Sequence, residues 1–119
     1  MTNLTDKEMM ALIHVKLETT RAVSNCITDS QLASLSDVEA FEFADLIELV
    51  AILMLEEAGE FPDAWTSESL MDIYHYKLPT LLSIDERKNI KRILMTYVDF
   101  VGSALELPNY VQIKKDLAS

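Results

Sequence analysis

Apolar residues recur every three or four positions through most of this chain, and the densest such stretch runs from Ser36 to Gly59. At about 3.6 residues per turn, Ala40, Phe43, Ala44, Ile47, Val50, Ala51, Met54 and Ala58 share one side that carries no charge. Glu39, Glu42, Asp45, Glu48, Glu56 and Glu57 lie on the other side, together with Phe41, Leu46, Leu49, Ile52 and Leu53. The second half of this helix is apolar nearly all round, so it needs cover from other helices or from a second copy of the chain. Ser36-Asp37-Val38-Glu39 reads as a capping box at its start, and Gly59 followed by Pro62 reads as its stop.

The remaining elements are placed around that helix. Thr5-Asp6-Lys7-Glu8 is a second capping box, with Leu4 and Met9 as its hydrophobic staple, and it opens a helix to about Ile27. The spacing predicts Met9, Met10, Ile13, Leu17, Val23 and Ile27 towards the core, with Lys7, His14, Glu18, Arg21 and Asn25 in water. His14 sits one turn before Glu18, where a surface ion pair contributes about 0.3–0.5 kcal/mol. A polar connector, 29–35, follows. Trp65 is expected to plug one end of the fold. Thr66 or Ser67 caps a short third helix ending at Pro79, with Leu70, Met71, Tyr74 and Leu78 inward and Glu68, Asp72, His75 and Tyr76 outward. Ser83-Ile84-Asp85-Glu86 is a third box. It opens an amphipathic helix with Ile90, Ile93, Leu94, Tyr97, Val98, Phe100, Val101, Ala104 and Leu105 on the core face, and Lys88, Lys91, Arg92, Thr96, Asp99 and Ser103 opposite. Gly102 falls on the polar side, at a cost of about 1 kcal/mol against alanine, in a place that permits a close approach. Leu107-Pro108 stops this helix, and Tyr110 to Leu117 form a short terminal one with Tyr110, Ile113 and Leu117 inward. The pattern predicts an all-α fold: a single domain over residues 1–119, a four-helix bundle with a short third helix and a short C-terminal extra helix.

Composition adds three constraints. Two glycines and three prolines in 119 residues leave little turn chemistry for an all-β fold. No stretch approaches the roughly 18–20 apolar residues of a membrane helix, and the N-terminus lacks the basic start and apolar core of a signal peptide. The single cysteine, Cys26, excludes a disulfide framework and a cysteine metal site. These point to a cytoplasmic protein with no membrane partner.

Charge changes the picture most. The chain carries a net charge of −10, with half its residues hydrophobic. Between Ala22 and Tyr76 there are twelve acidic residues and no Lys or Arg, so the excess resides on the second helix, its exit loop and the third helix. Such a surface speeds encounter with a basic protein, and Phe41, Leu49, Ile52 and Tyr76 are available as anchors. The alternative is a merely solvated acidic face that keeps the chain soluble. The basic cluster Arg87, Lys88, Lys91 and Arg92 is expected in ion pairs, because a chain at −10 repels nucleic acid elsewhere on its surface.

Glu42, Asp45 and Glu48 form a ridge of carboxylates, but the Glu-x-x-His pattern of di-iron bundles is absent, and no metal or cofactor is implied. No Ser, Cys or Lys has a His or acid partner at a spacing that suggests nucleophilic catalysis. Leu55-Glu56-Glu57-Ala58-Gly59-Glu60-Phe61 resembles the Glu-Glu-x-Gly-Glu signature of the all-α nucleotide pyrophosphohydrolases of the MazG type. In that family a following Glu-x-x-Asp pair completes a magnesium site, and the matching positions here are Ser69 and Asp72, one carboxylate short. The resemblance implies a magnesium-dependent hydrolase using Glu56, Glu57, Glu60 and Asp72. Asp72-Ile73-Tyr74-His75-Tyr76 on a short third helix of an acidic bundle is similar to the immunity proteins of nuclease bacteriocins. That resemblance implies that Asp72, Tyr74 and Tyr76 contact a basic toxin while Glu42, Asp45 and Glu48 set specificity.

The expectation is therefore a non-enzymatic, acidic helical protein. It binds a basic protein partner, as an inhibitor, immunity protein or adaptor, through Glu42, Asp45, Glu48, Asp72, Tyr74 and Tyr76. The alternatives are the magnesium-dependent hydrolase and an obligate homodimer with a solvated acidic face.

Overall fold

The Ser36 and Ser83 capping boxes form in full and the Thr5 one in part, with Glu8 bonded to the Thr5 hydroxyl, and they set where the chain enters its helices. The structure, a computed structural model, describes residues 5–28, 36–103 and 107–119, the side chains of residues 27, 28, 37 and 103 excepted. Expectations for Leu4, the Ile27 and Ser103 side chains, the 29–35 connector, Ala104 and Leu105 fall outside these residues. α1 is Asp6–Thr28, α2 Asp37–Ala58, α3 Ser67–Asp72, α4 Leu78–Leu81, α5 Ile84–Ser103 and α6 Tyr110–Ala118. The described residues are all-α, with no strand among them. Thr5 and Glu8 exchange bonds at 3.1 Å before α1. The Ser36 N–H donates to Glu39 at 3.2 Å and the Glu39 N–H returns to Ser36 Oγ, and Ser83 and Glu86 repeat this pattern before α5. α2 ends where Gly59 enters the left-handed region at φ 67° and donates to the Leu55 carbonyl, while Glu60 N–H reaches Met54.

The core is built mainly from α2 and α5. Phe43, Leu46, Ile47, Val50, Ala51, Leu53 and Met54 of α2 are buried, as are Ile90, Ile93, Leu94, Tyr97, Val98 and Val101 of α5. Ile113 and Leu117 of α6 close one side. Trp65 is fully buried, its ring centroid 5.8 Å from that of Tyr97, and its carbonyl accepts from the Asn109 amide at 2.9 Å. Among the described residues the Trp65 indole N–H and the Thr19 hydroxyl are buried without a hydrogen-bond partner.

Three expectations are corrected. α1 does not bury its large apolar stripe: Val23 is buried as expected, but Met9, Met10, Ile13 and Leu17 are exposed, and Val15, Thr19 and Cys26 join Val23 in the buried arc instead. Small and β-branched side chains on that arc let α1 approach its neighbours closely, which outweighs the greater apolar area on the opposite arc. The third helix does not end at Pro79. α3 runs through a π-helical turn at Ile73–Lys77 directly into α4, with Leu78 N–H donating to the Ile73 carbonyl. Proline has no N–H to give and its ring crowds the carbonyl four residues back, here that of His75; the wider turn relieves this. The turn also leaves Ile73 buried and Tyr74 only half-buried. Finally, Gly102 is buried and not on the polar side, while the close approach expected there does occur: a Cβ would collide with the Tyr110 ring, so glycine admits α6 onto α5.

Candidate protein-docking surface

The register that buries Phe43, Ile47, Val50 and Met54 leaves a second line of residues facing out. Val38, Phe41, Asp45, Glu48 and Ile52 follow at alternating steps of three and four, so they stack into one ridge along α2. Val38 is 76% exposed and Phe41 71%; Asp45 is exposed, and Glu48 and Ile52 are half-buried. An aromatic ring in water between carboxylates is the most conspicuous feature of this face. Phe41, Leu49, Ile52 and Tyr76 were legible as anchors, and Leu49 is half-buried and Tyr76 75% exposed. Val38 was missed, although its position one turn before Phe41 on the same arc was the available signal.

Not every carboxylate on α2 is free to meet a partner. Glu42 is half-buried and accepts a hydrogen bond from the Asn89 amide of α5 at 3.1 Å, which places it in the seam between the two helices. The Ser36 backbone N–H and hydroxyl hold the Glu39 carboxyl below its ordinary value, and the Arg92 guanidinium of α5 adds to this. Arg92 thus acts electrostatically on the start of α2 without closing an ion pair there. Asp45 and Glu48 lie further along the ridge.

The other expected contacts occupy different surfaces. Asp72 and Tyr76 line a groove of about 510 Å³ with Glu57, Ala58, Ser69, Ile73 and Lys77, at the C-terminal end of α2. Lys77 spans it, its Nζ 3.3 Å from Glu57 Oε1. Tyr74 lines a smaller groove of about 180 Å³ with His75, Leu78, Pro79, Leu82, Arg87 and Ile90. Neither groove includes Glu42, Asp45 or Glu48. The His75 ring stands edge-on to both tyrosines, at 5.1 Å from Tyr74 and 6.4 Å from Tyr76.

Two residues of the hydrolase-like motif, Glu57 and Glu60, have structural partners. Glu60 accepts from the Thr66 N–H at 2.7 Å, the Thr66 hydroxyl at 2.9 Å and the Ser69 hydroxyl at 2.8 Å. It thereby sits at the start of α3, where a negative charge is favourable. Glu57 is bound to Lys77. Among the described residues no group of three or more His, Cys, Asp or Glu side chains is arranged to hold a metal ion. No described helix is long and apolar enough to cross a membrane.

No protein-family model, curated protein or solved structure matches the chain.

Proposed function

We propose that this chain is a non-enzymatic binding protein whose partner is a basic protein, docked along the outer ridge of α2. One observation carries the reading: Phe41, 71% exposed, stands on that ridge one turn from Asp45, in a stretch of twelve acidic residues with no Lys or Arg. Carboxylates around an exposed aromatic suit a two-part interaction. The acidic field raises the rate of encounter, and the desolvated ring supplies residence time. Asp45 and Glu48 are the charged contacts, with Val38 and Ile52 extending the apolar line. Asp72 and Tyr76 form a second contact beyond the end of α2, beside Tyr74. Glu42 acts from the seam by holding α5 against the ridge. With the helical run 67–81 taken as one member, α1, α2, that run and α5 make a four-helix bundle with α6 as the extra helix. Such a rigid support suits an inhibitor, immunity or adaptor role.

The test compares the wild-type chain with Phe41→Ala and with Asp45→Lys in affinity capture from the host lysate, at low and high salt. The expected result is a stoichiometric basic partner, released at high salt and lost in both variants, whose melting temperatures stay near wild type. Equal capture by all three proteins, or no basic partner at either salt, overturns the reading.

A further inference from the structure

A second apolar line lies on the outer face of α1, and its charge setting differs from that of α2. Met10, Ile13 and Leu17 are 66%, 46% and 67% exposed, with Met9 beside them at 49%. Exposed Thr20 and Ser24 continue the line, so positions 10, 13, 17, 20 and 24 alternate steps of three and four, the spacing of a helix-pairing seam. The charges on α1 balance: Asp6, Glu8 and Glu18 against Lys7, Lys16 and Arg21. We infer that this face pairs with α1 of a second copy of the chain, antiparallel, crossing at Ile13.

Two arguments select a second copy as the occupant. Two chains that each carry −10 repel wherever their acidic stretches meet, and α1, unlike α2, is a long helix whose charges cancel and add nothing to that repulsion. An antiparallel crossing centred on Ile13 also sets Met9 and Met10 against Leu17 of the other copy and brings Asp6 towards its Arg21. By two-fold symmetry this complementary pair forms twice. A stripe of four large side chains covers less than the roughly 800 Å² per partner of a standard stable interface, so the dimer is reversible and concentration-dependent. This inference does not rest on the acidic ridge of α2. Salt separates the two, because screening strengthens a dimer of like-charged chains and weakens a basic partner's hold on the acidic ridge.

Sedimentation velocity across about 5 to 500 μM reads the association directly. The expected mass rises from monomer towards dimer with concentration, and more readily at high salt. Ile13→Glu combined with Leu17→Glu changes only exposed positions, so it keeps the helix signal and melting temperature while weakening association by about a hundredfold. Orientation is read by mixing Met10→Cys and Leu17→Cys chains under mild oxidation, where the antiparallel pairing gives a cross-linked dimer more readily than either chain alone. A monomer at every concentration overturns the inference, as does a dimer undiminished in the double-glutamate variant. Cross-linking that is stronger within each single variant than in the mixture overturns the antiparallel geometry.

Discussion

The outer faces of α1 and α2 resemble each other in shape and differ in charge. Each sets large apolar side chains in water at seam-like spacing, Met10, Ile13 and Leu17 on one helix and Val38 and Phe41 on the other. On α1 the intervening charges cancel, whereas on α2 every charged residue is acidic. Apolar exposure alone says that a surface can be covered. The charge around it bears on by what, and we propose a like copy where the balance is neutral and a basic protein where it is acidic.

The comparison breaks most sharply within α1 itself. Val15 is fully buried and Leu17, two residues on, is 67% exposed. Val15→Asp places an unpaired carboxylate in the core and should cost about 3 kcal/mol or more, while Leu17→Asp should stay within about 0.5 kcal/mol. Urea denaturation of the two variants measures this, and the reverse order would mean that the apolar stripe is the packed face after all.

A contrasting contact, between α5 and α6, leaves no surface over. Gly102→Ala gains about 1 kcal/mol of helix propensity yet drives a Cβ into the Tyr110 ring. The collision should win, with a net loss of about 1–3 kcal/mol in thermal or urea unfolding. A neutral or stabilised variant would show that α6 is loosely held and can itself be counted among the docking faces.

The smallest effect separates structural carboxylates from docking ones. The Ser36 N–H and hydroxyl hold the Glu39 carboxyl below its ordinary value, and the Ser67 hydroxyl and Gln112 amide do the same for Asp116. A carboxylate whose folded value is lowered stabilises above its ordinary value of 4.5 or 3.8 and loses that contribution as pH falls through the folded value. The unfolding midpoint should therefore drop below about pH 4.5, and Glu39→Gln should flatten that limb by a small amount, since Glu39 is solvent-exposed. An acid limb unchanged by Glu39→Gln would remove the capping box from the acid response.

Features encoded within a few residues were legible in the sequence. The boxes at Thr5, Ser36 and Ser83, the Gly59 cap and the buried face of α5 all depend on neighbours along the chain. The buried arc of α1 was legible only at Val23, because Met10, Ile13 and Leu17 make as good a hydrophobic stripe as Val15, Thr19 and Cys26. The choice between arcs depends on how closely neighbouring helices can approach, which local spacing does not encode. Pro79 misled for a similar reason, since a π turn upstream absorbs what proline usually forbids. On the candidate surface, Phe41 and Asp45 could be read from the helical wheel. The seam position of Glu42 depends on Asn89, 47 residues away.

The chain contains a single tryptophan, and Trp65 is fully buried between Tyr97 and Asn109, away from both exposed ridges. Its emission should therefore be blue-shifted in the native state and shift red only when the core opens. Docking on α2 or pairing through α1 would leave that colour unchanged. The protein thus carries an intrinsic fluorophore that reports folding without responding to association, so the two can be followed in one sample.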